Sequence, residues 1–267
     1  MWKRLKITCG LLVLGLVSPI QATGSGFSNM YVLGDSLSDQ GNLYEATTQA
    51  TPPIYGSAIS IPRADHYYFG RFSNEGNYAD VLANELDVVL TPSIVDGGNN
   101  FAFGGTRTDY STIEYDIDKP TPVNLLSGQG NLLPHDLYPW TLNTQVGAFT
   151  ERGVQDPGAL YVVFSGSNDI VDLISMVARC YSGIQGTEVF CTGRGDPQET
   201  LPLVLSGIND AISAFVAAGA QEILVPNMPN LGVVPGIVAA GPQVSALATQ
   251  FSDQYNQLLD LMLNGWE

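Results

Sequence analysis

Short apolar runs that stop at a turn residue alternate along this chain with longer stretches in which apolar residues return every three or four positions. Met30, Tyr31, Val32 and Leu33 form one such run, and it halts at Gly34, the pattern of a buried strand ending in a tight turn. Runs of the same kind lie at 88–90, 100–103, 159–164 and 222–226. The run at 159–164 is continuous rather than alternating, which predicts a strand covered by helices on both faces. Helical spacing occurs at 78–86, where Tyr78, Val81, Leu82 and Leu86 share a face interrupted by Glu85. It recurs at 142–152, 170–179, 201–218 and 242–263. Strand-like and helix-like stretches take turns without any internal repeat. The expected fold class is therefore α/β, a three-layer α/β/α sandwich around a central parallel sheet with right-handed crossovers, in one domain.

Two stretches, 40–68 and 106–140, are rich in turn-forming residues and carry no sustained period, so both are expected to be irregular. The second is long enough to serve as a lid or a substrate wall. Its Tyr110, Tyr115, Leu125, Leu126, Leu132, Leu133 and Trp140 either line a pocket or anchor the loop to the body.

The N-terminus and the charge balance add a compartment. Lys3, Arg4 and Lys6 precede an apolar stretch at 11–17 and the sequence Ile20-Gln21-Ala22, the pattern of an export leader too short to span a bilayer. Residues 1–22 are expected to be a signal peptide and 23–267 the functional domain, which holds no transmembrane helix. The protein is then exported, to a periplasmic, outer-membrane-associated or extracellular place. Losing those three cations takes the formal net charge from −16 to −19. Such a surface repels nucleic acid and anionic membrane and excludes tight docking on either. Cys180 and Cys191 remain once Cys9 leaves with the leader. In an oxidising compartment they are expected to close a small disulfide loop, the alternative being two free buried thiols. No cysteine–histidine spacing has the form of a zinc site, and no metal or other cofactor is expected.

Ser36 stands two residues past the first strand, where open α/β sheets bind ligands. Asp35 and Ser36 are equally good turn and helix-cap residues, so that stretch alone leaves both readings open. The wider sequence narrows them. Gly34-Asp35-Ser36-Leu37 with Asp39 and Gly41-Asn42, then Asn100-Phe101-Ala102-Phe103-Gly104-Gly105, then Gly166-Ser167-Asn168-Asp169, resemble in this order the blocks of the GDSL esterases and lipases, also called SGNH hydrolases. Gly70-Arg71-Phe72-Ser73-Asn74, ahead of the 78–86 helix, is similar to a further segment of that family, and Arg71 itself reads as a surface or ion-paired side chain. The resemblance covers roughly residues 29–264.

What the resemblance implies is a flavodoxin-like SGNH hydrolase fold acting on small-molecule or lipid esters. It assigns Ser36 as nucleophile, with the Ser36 and Gly105 backbone N–H groups and the Asn168 side-chain amide as oxyanion donors. Residue placement is compatible, because each follows the carboxyl end of a strand-like run. Asn168 can also cap the helix expected near Ile170. The family's Asp-x-x-His pair, its general base and orienter, has no counterpart here. The only histidines are His66, directly after Asp65, and His135, directly before Asp136, and neither is expected to be the base. The resemblance thus implies a member that lacks the last strand and the C-terminal catalytic loop. Two functional expectations result. One is an exported serine hydrolase that forms an acyl-serine on Ser36, inactive or weakly active without an imidazole; the other is a non-catalytic remnant that binds a lipid or glycan ester. A nucleotide-binding use of the same sheet is set aside, since the first turn lacks a phosphate-cradling glycine loop and the chain is acidic.

Overall fold

Three strands, β1 (Met30–Gly34), β2 (Leu160–Phe164) and β3 (Glu222–Leu224), pair in parallel in that order in the computed structural model. The structure describes residues 26–49, 60–95, 97–108, 141–181 and 191–266. The leader at 1–22, most of the 106–140 loop, and His135 fall outside them.

On the far side of β1 the segment 99–103 runs alongside as a partial fourth strand. Val32 donates its N–H to Asn99 O (3.1 Å), Phe101 to Val32 O (2.7 Å) and Phe103 to Gly34 O (3.2 Å). The expected strand at 88–90 does not form. Nearby peptide groups close a loop instead, with the Asn99 and Asn100 N–H groups on Thr91 O and the Asn99 side-chain amide on Val89 O. The run at 222–226 shortens to three residues, ahead of a proline that has no N–H to give.

Among the described residues the α-helices are α1 (Asn42–Gln49), α2 (Tyr78–Glu85), α3 (Leu142–Glu151), α4 (Ser167–Cys180), α5 (Pro197–Ala217), α6 (Pro235–Ala239) and α7 (Pro242–Asn264). α1 lies where an irregular stretch is expected. Its apolar content is low, yet it buries Leu43, Ala46 and Thr47 on one face, and its entry is set by buried Asp39, which accepts the N–H groups of Gly41, Asn42 and Leu43. α4 begins three residues early, because Gly166 (φ 107°) turns the chain directly into it.

Alternation along the strands explains the layers. Leu33, Tyr161 and Val163 face a core shared with α3, α4, α5 and α7, whereas Met30, Val32, Leu160 and Val162 face Ala79 and Ala83 of α2. Both faces are apolar because both are covered, as the continuous run at 159–164 requires. The expectation of no further membrane-length helix needs correction. α5 is long and apolar enough by length and composition, but Leu201, Val204, Ile208, Ile212 and Phe215 put that apolarity into the core. Cys180, at the end of α4, is bonded to Cys191.

Candidate active site

The site is built at the carboxyl end of β1. A Cβ on Gly34 would lie 2.4 Å from Phe164 O, so glycine lets the ends of β1 and β2 stay in register as the chain turns off. Asp35 then shapes the turn. Its N–H donates to Phe164 O (3.3 Å), its carbonyl accepts from Ser38 and Asp39 N–H (3.0 Å each), and its Oδ1 accepts the Leu37 N–H (3.0 Å). Ser36 sits on the crest, half-buried, beside exposed Leu37. Neither Asp35 nor Ser36 starts a helix, since the helix-entry role belongs to Asp39.

Side chains from this turn lace it to the second block. Asp39 Oδ2 accepts the Gly104 N–H (2.8 Å). Asn42 Nδ2 donates to Asn100 O and Ala102 O (2.8 Å each), and Asn100 Nδ2 donates to Ser38 O (2.7 Å). Gly104 has no room for a side chain, because the Phe72 ring occupies the space 2.1 Å from where a Cβ would stand. Gly105 adopts φ 77°, and its carbonyl accepts from Arg107 Nη1 (2.9 Å). Arg107 is fixed in turn by Asp172 of α4, at 2.5 and 3.0 Å.

The third block joins through the same loop. Asn168 Nδ2 donates to Thr106 O (2.8 Å), and Asp169 accepts from the N–H and hydroxyl of Thr108. Asn168 is the second residue of α4 and makes no cap bond; Gly166 holds the cap position. Thus the Ser36 turn is bonded to Gly104, and Asn168 to the residue after Gly105. Among the described residues, the backbone N–H groups of Ser36 and Gly105 have no acceptor, and the Ser36 hydroxyl has no partner.

Burial pushes the Asp35 carboxyl up to about 7, with nearby Asp169 adding to the rise and the Leu37 N–H opposing it. Burial likewise raises Asp39 to about 6, against the pull of four backbone N–H groups. Tyr78, whose hydroxyl meets Ser38 Oγ at 2.9 Å, is also raised by burial. Arg71 pairs with Asp80 of α2 at 2.6 Å, and Asp80 also accepts from Gln40 Nε2. His66 sits on an exposed segment, 3.7 Å from Asp65 Oδ2. Among the described residues no group of three or more His, Cys, Asp or Glu could hold a metal ion.

The residues that fasten this site, Asp39, Asn42, Asn100 and also Gln145, whose side-chain amide bonds both the N–H and the carbonyl of Gly34, received no role from the sequence. Gln145 left one visible sign. It is a polar residue inside the stripe Leu142-Gln145-Phe149 that α3 buries.

A parallel sheet flanked by helices, with a serine turn and two partner loops at its carboxyl end, defines the class, an α/β sandwich domain of the SGNH kind. The family model of the GDSL-like lipase/acylhydrolases matches residues 30–266, so the chain belongs to that family. It is 26% identical over 250 residues to the phosphatidylcholine-sterol acyltransferase of Aeromonas hydrophila, covering 92% of this chain and 58% of that protein. It is 26% identical over 280 residues to the esterase EstA of Pseudomonas aeruginosa, covering 97% of this chain and 37% of that one. The GDSL esterase/lipase At2g27360 of Arabidopsis thaliana is 28% identical over 224 residues, with 77% and 50% covered. The chain therefore spans between about two-fifths and three-fifths of these relatives' lengths.

Proposed function

We propose that this chain is a carboxylic ester hydrolase that works through an acyl-serine intermediate on Ser36. One observation carries the reading. Among the described residues the Ser36 and Gly105 N–H groups have no acceptor, while their own loops are pinned by the Asp39–Gly104 and Asn168–Thr106 bonds. Fixed, unoccupied donors are what a developing oxyanion needs, since they cost no reorganisation when charge appears.

In this mechanism Ser36 Oγ attacks the ester carbonyl carbon, and the carbonyl oxygen becomes an anion cradled by the Ser36 and Gly105 N–H groups and the second amide hydrogen of Asn168. The Ser36 proton passes through solvent to the leaving alkoxide as collapse breaks its carbon–oxygen bond, and water then adds its hydroxyl to the acyl carbon and returns a proton to Ser36 Oγ, releasing the acid. Among the described residues none bonds to Ser36 Oγ, and His66 is not assigned as its base. The family and the names of its esterase and lipase relatives support ester substrates. The leader pattern and the Cys180–Cys191 bond support export.

The test uses the 267-residue chain with p-nitrophenyl butyrate and, separately, a fluorophosphonate read by intact mass. Weak turnover, as befits a serine with no imidazole assigned as its base, and a single adduct on Ser36 are expected, and both vanish in Ser36→Ala. Turnover that survives Ser36→Ala would overturn the reading. Ester binding with neither turnover nor adduct would favour a binding protein on the same fold.

A further inference from the structure

The ladder between β1 and the 99–103 segment breaks at one rung, and a side chain fills the gap. Val32 N–H reaches Asn99 O, Phe101 N–H reaches Val32 O, and Phe103 N–H reaches Gly34 O. A parallel ladder would next place the Gly34 N–H on Phe101 O. Instead it donates to Gln145 Oε1 (2.9 Å), so the second block peels away from β1 two residues before Ser36. Gln145 Nε2 returns a bond to Gly34 O (2.9 Å) and gives a second to Thr106 Oγ1 (2.8 Å).

Gln145 is 2% exposed, and its place in α3 is fixed by Leu142 and Phe149 in the core and by the Thr141 N-cap. A buried amide satisfied at both ends is rigid, because losing either bond would strand a polar group. Thr106 is held from several sides. Its N–H (3.2 Å) and its hydroxyl (2.7 Å) both donate to Phe103 O, its hydroxyl accepts from Gln145, and its carbonyl accepts from Asn168. Gly105 lies between this residue and Gly104, whose N–H is on Asp39.

We propose that Gln145 is a positioning residue of the reaction: its amide spans from the end of β1 to Thr106 and so sets the Gly105 N–H relative to the Ser36 hydroxyl. The proposal rests on the ester-hydrolase reading and adds a residue to it. Gln145 touches no substrate and acts through Gly34 and Thr106.

Three variants test it, with kcat and KM measured on p-nitrophenyl butyrate. Gln145→Met keeps the volume and removes both polar ends, and kcat falls about tenfold to hundredfold with KM within about twofold, as for a donor moved rather than a pocket lost. Thr106→Val gives a fall of the same kind, and the double variant is no worse than the poorer single one. Gln145→Glu separates positioning from packing, because its ionised carboxylate cannot donate to Gly34 O whereas the protonated acid can. Its kcat per folded molecule, with the folded fraction measured at each pH by circular dichroism, therefore rises relative to wild type as pH is lowered, a dependence that loss of packing alone would not produce.

Amide hydrogen exchange gives a readout without turnover. In Gln145→Met, protection at Gly34 and across 103–107 falls about tenfold while α3 and β2 stay protected. If Gln145→Met unfolds, Thr106→Val and Gln145→Glu carry the test. Unchanged kcat in Thr106→Val and Gln145→Glu, or unchanged protection at 103–107 in a folded Gln145→Met, overturns the proposal. Failure of the parent reading looks different, since wild type would then lack the Ser36 adduct while the exchange result still reports on the clamp.

Discussion

Asp35 and Asp39 are two carboxylates four residues apart with different tasks. Asp35 is buried, receives the Leu37 N–H and stands next to Ser36, and its pKa is pushed from the ordinary 3.8 to about 7. A carboxyl with its folded pKa above its unfolded one binds more protons in the native state between those values. Stability then falls as pH rises through that window and levels off above it. Asparagine at 35 keeps an oxygen for the Leu37 N–H but does not titrate. The melting temperature of wild type relative to Asp35→Asn should therefore decline from about pH 4 to about pH 7. Thermal melts across that range check this, and a difference that stays flat or rises would contradict it. Asp39 was visible in the sequence only as part of a motif. That it spends one oxygen on the entry of α1 and the other partly on Gly104 depends on residues 65 positions apart, which no local pattern reveals.

At the scale of elements, the strand at 30–33 and the helices at 78–86, 142–152 and 242–263 were legible because each buries one face or both, leaving a periodic apolar trace. α1 was not, since only Leu43 and Ala46 of its eight residues make the apolar part of its buried face, too short a trace to stand out in a turn-rich stretch, and Asp39 fixes its entry. The strand expected at 88–90 failed for the opposite reason: apolar content was present, but Thr91, Asn99 and Asn100 tie their backbone groups into a loop. Close packing between loops leaves no trace beyond a glycine. Gly104 and Phe72 make this testable. Gly104→Ala drives a methyl into the Phe72 ring and should cost about 1–3 kcal/mol of stability along with activity. Adding Phe72→Ala opens the space, so the double variant should recover part of that loss, read by denaturant unfolding and kcat. Additive losses would show that the ring is not what excludes the side chain.

For the whole molecule, the three-layer arrangement was readable from alternating elements, and the candidate site was proposed from three motifs that share the sheet's carboxyl end. What joins the motifs was hidden, because Asn42, Asn100, Gln145 and Arg107 act on backbone groups across the fold. The disulfide fastens the end of α4, the helix that also presents Asn168 and Asp172. Replacing Cys180 and Cys191 by serine should lower stability by about 2–4 kcal/mol, seen as a lower denaturant midpoint. An unchanged midpoint would mean that this bond does not constrain the unfolded chain.

The central claim is geometric, that the open N–H groups of Ser36 and Gly105 and the Asn168 amide face one oxygen. A crystal structure of the chain phosphonylated by a fluorophosphonate measures this directly. The account predicts phosphorus on Ser36 Oγ, with one phosphonyl oxygen about 2.7–3.1 Å from Ser36 N, Gly105 N and Asn168 Nδ2. Phosphorus on another residue, or that oxygen turned to solvent with Gly105 and Asn168 out of reach, would contradict it.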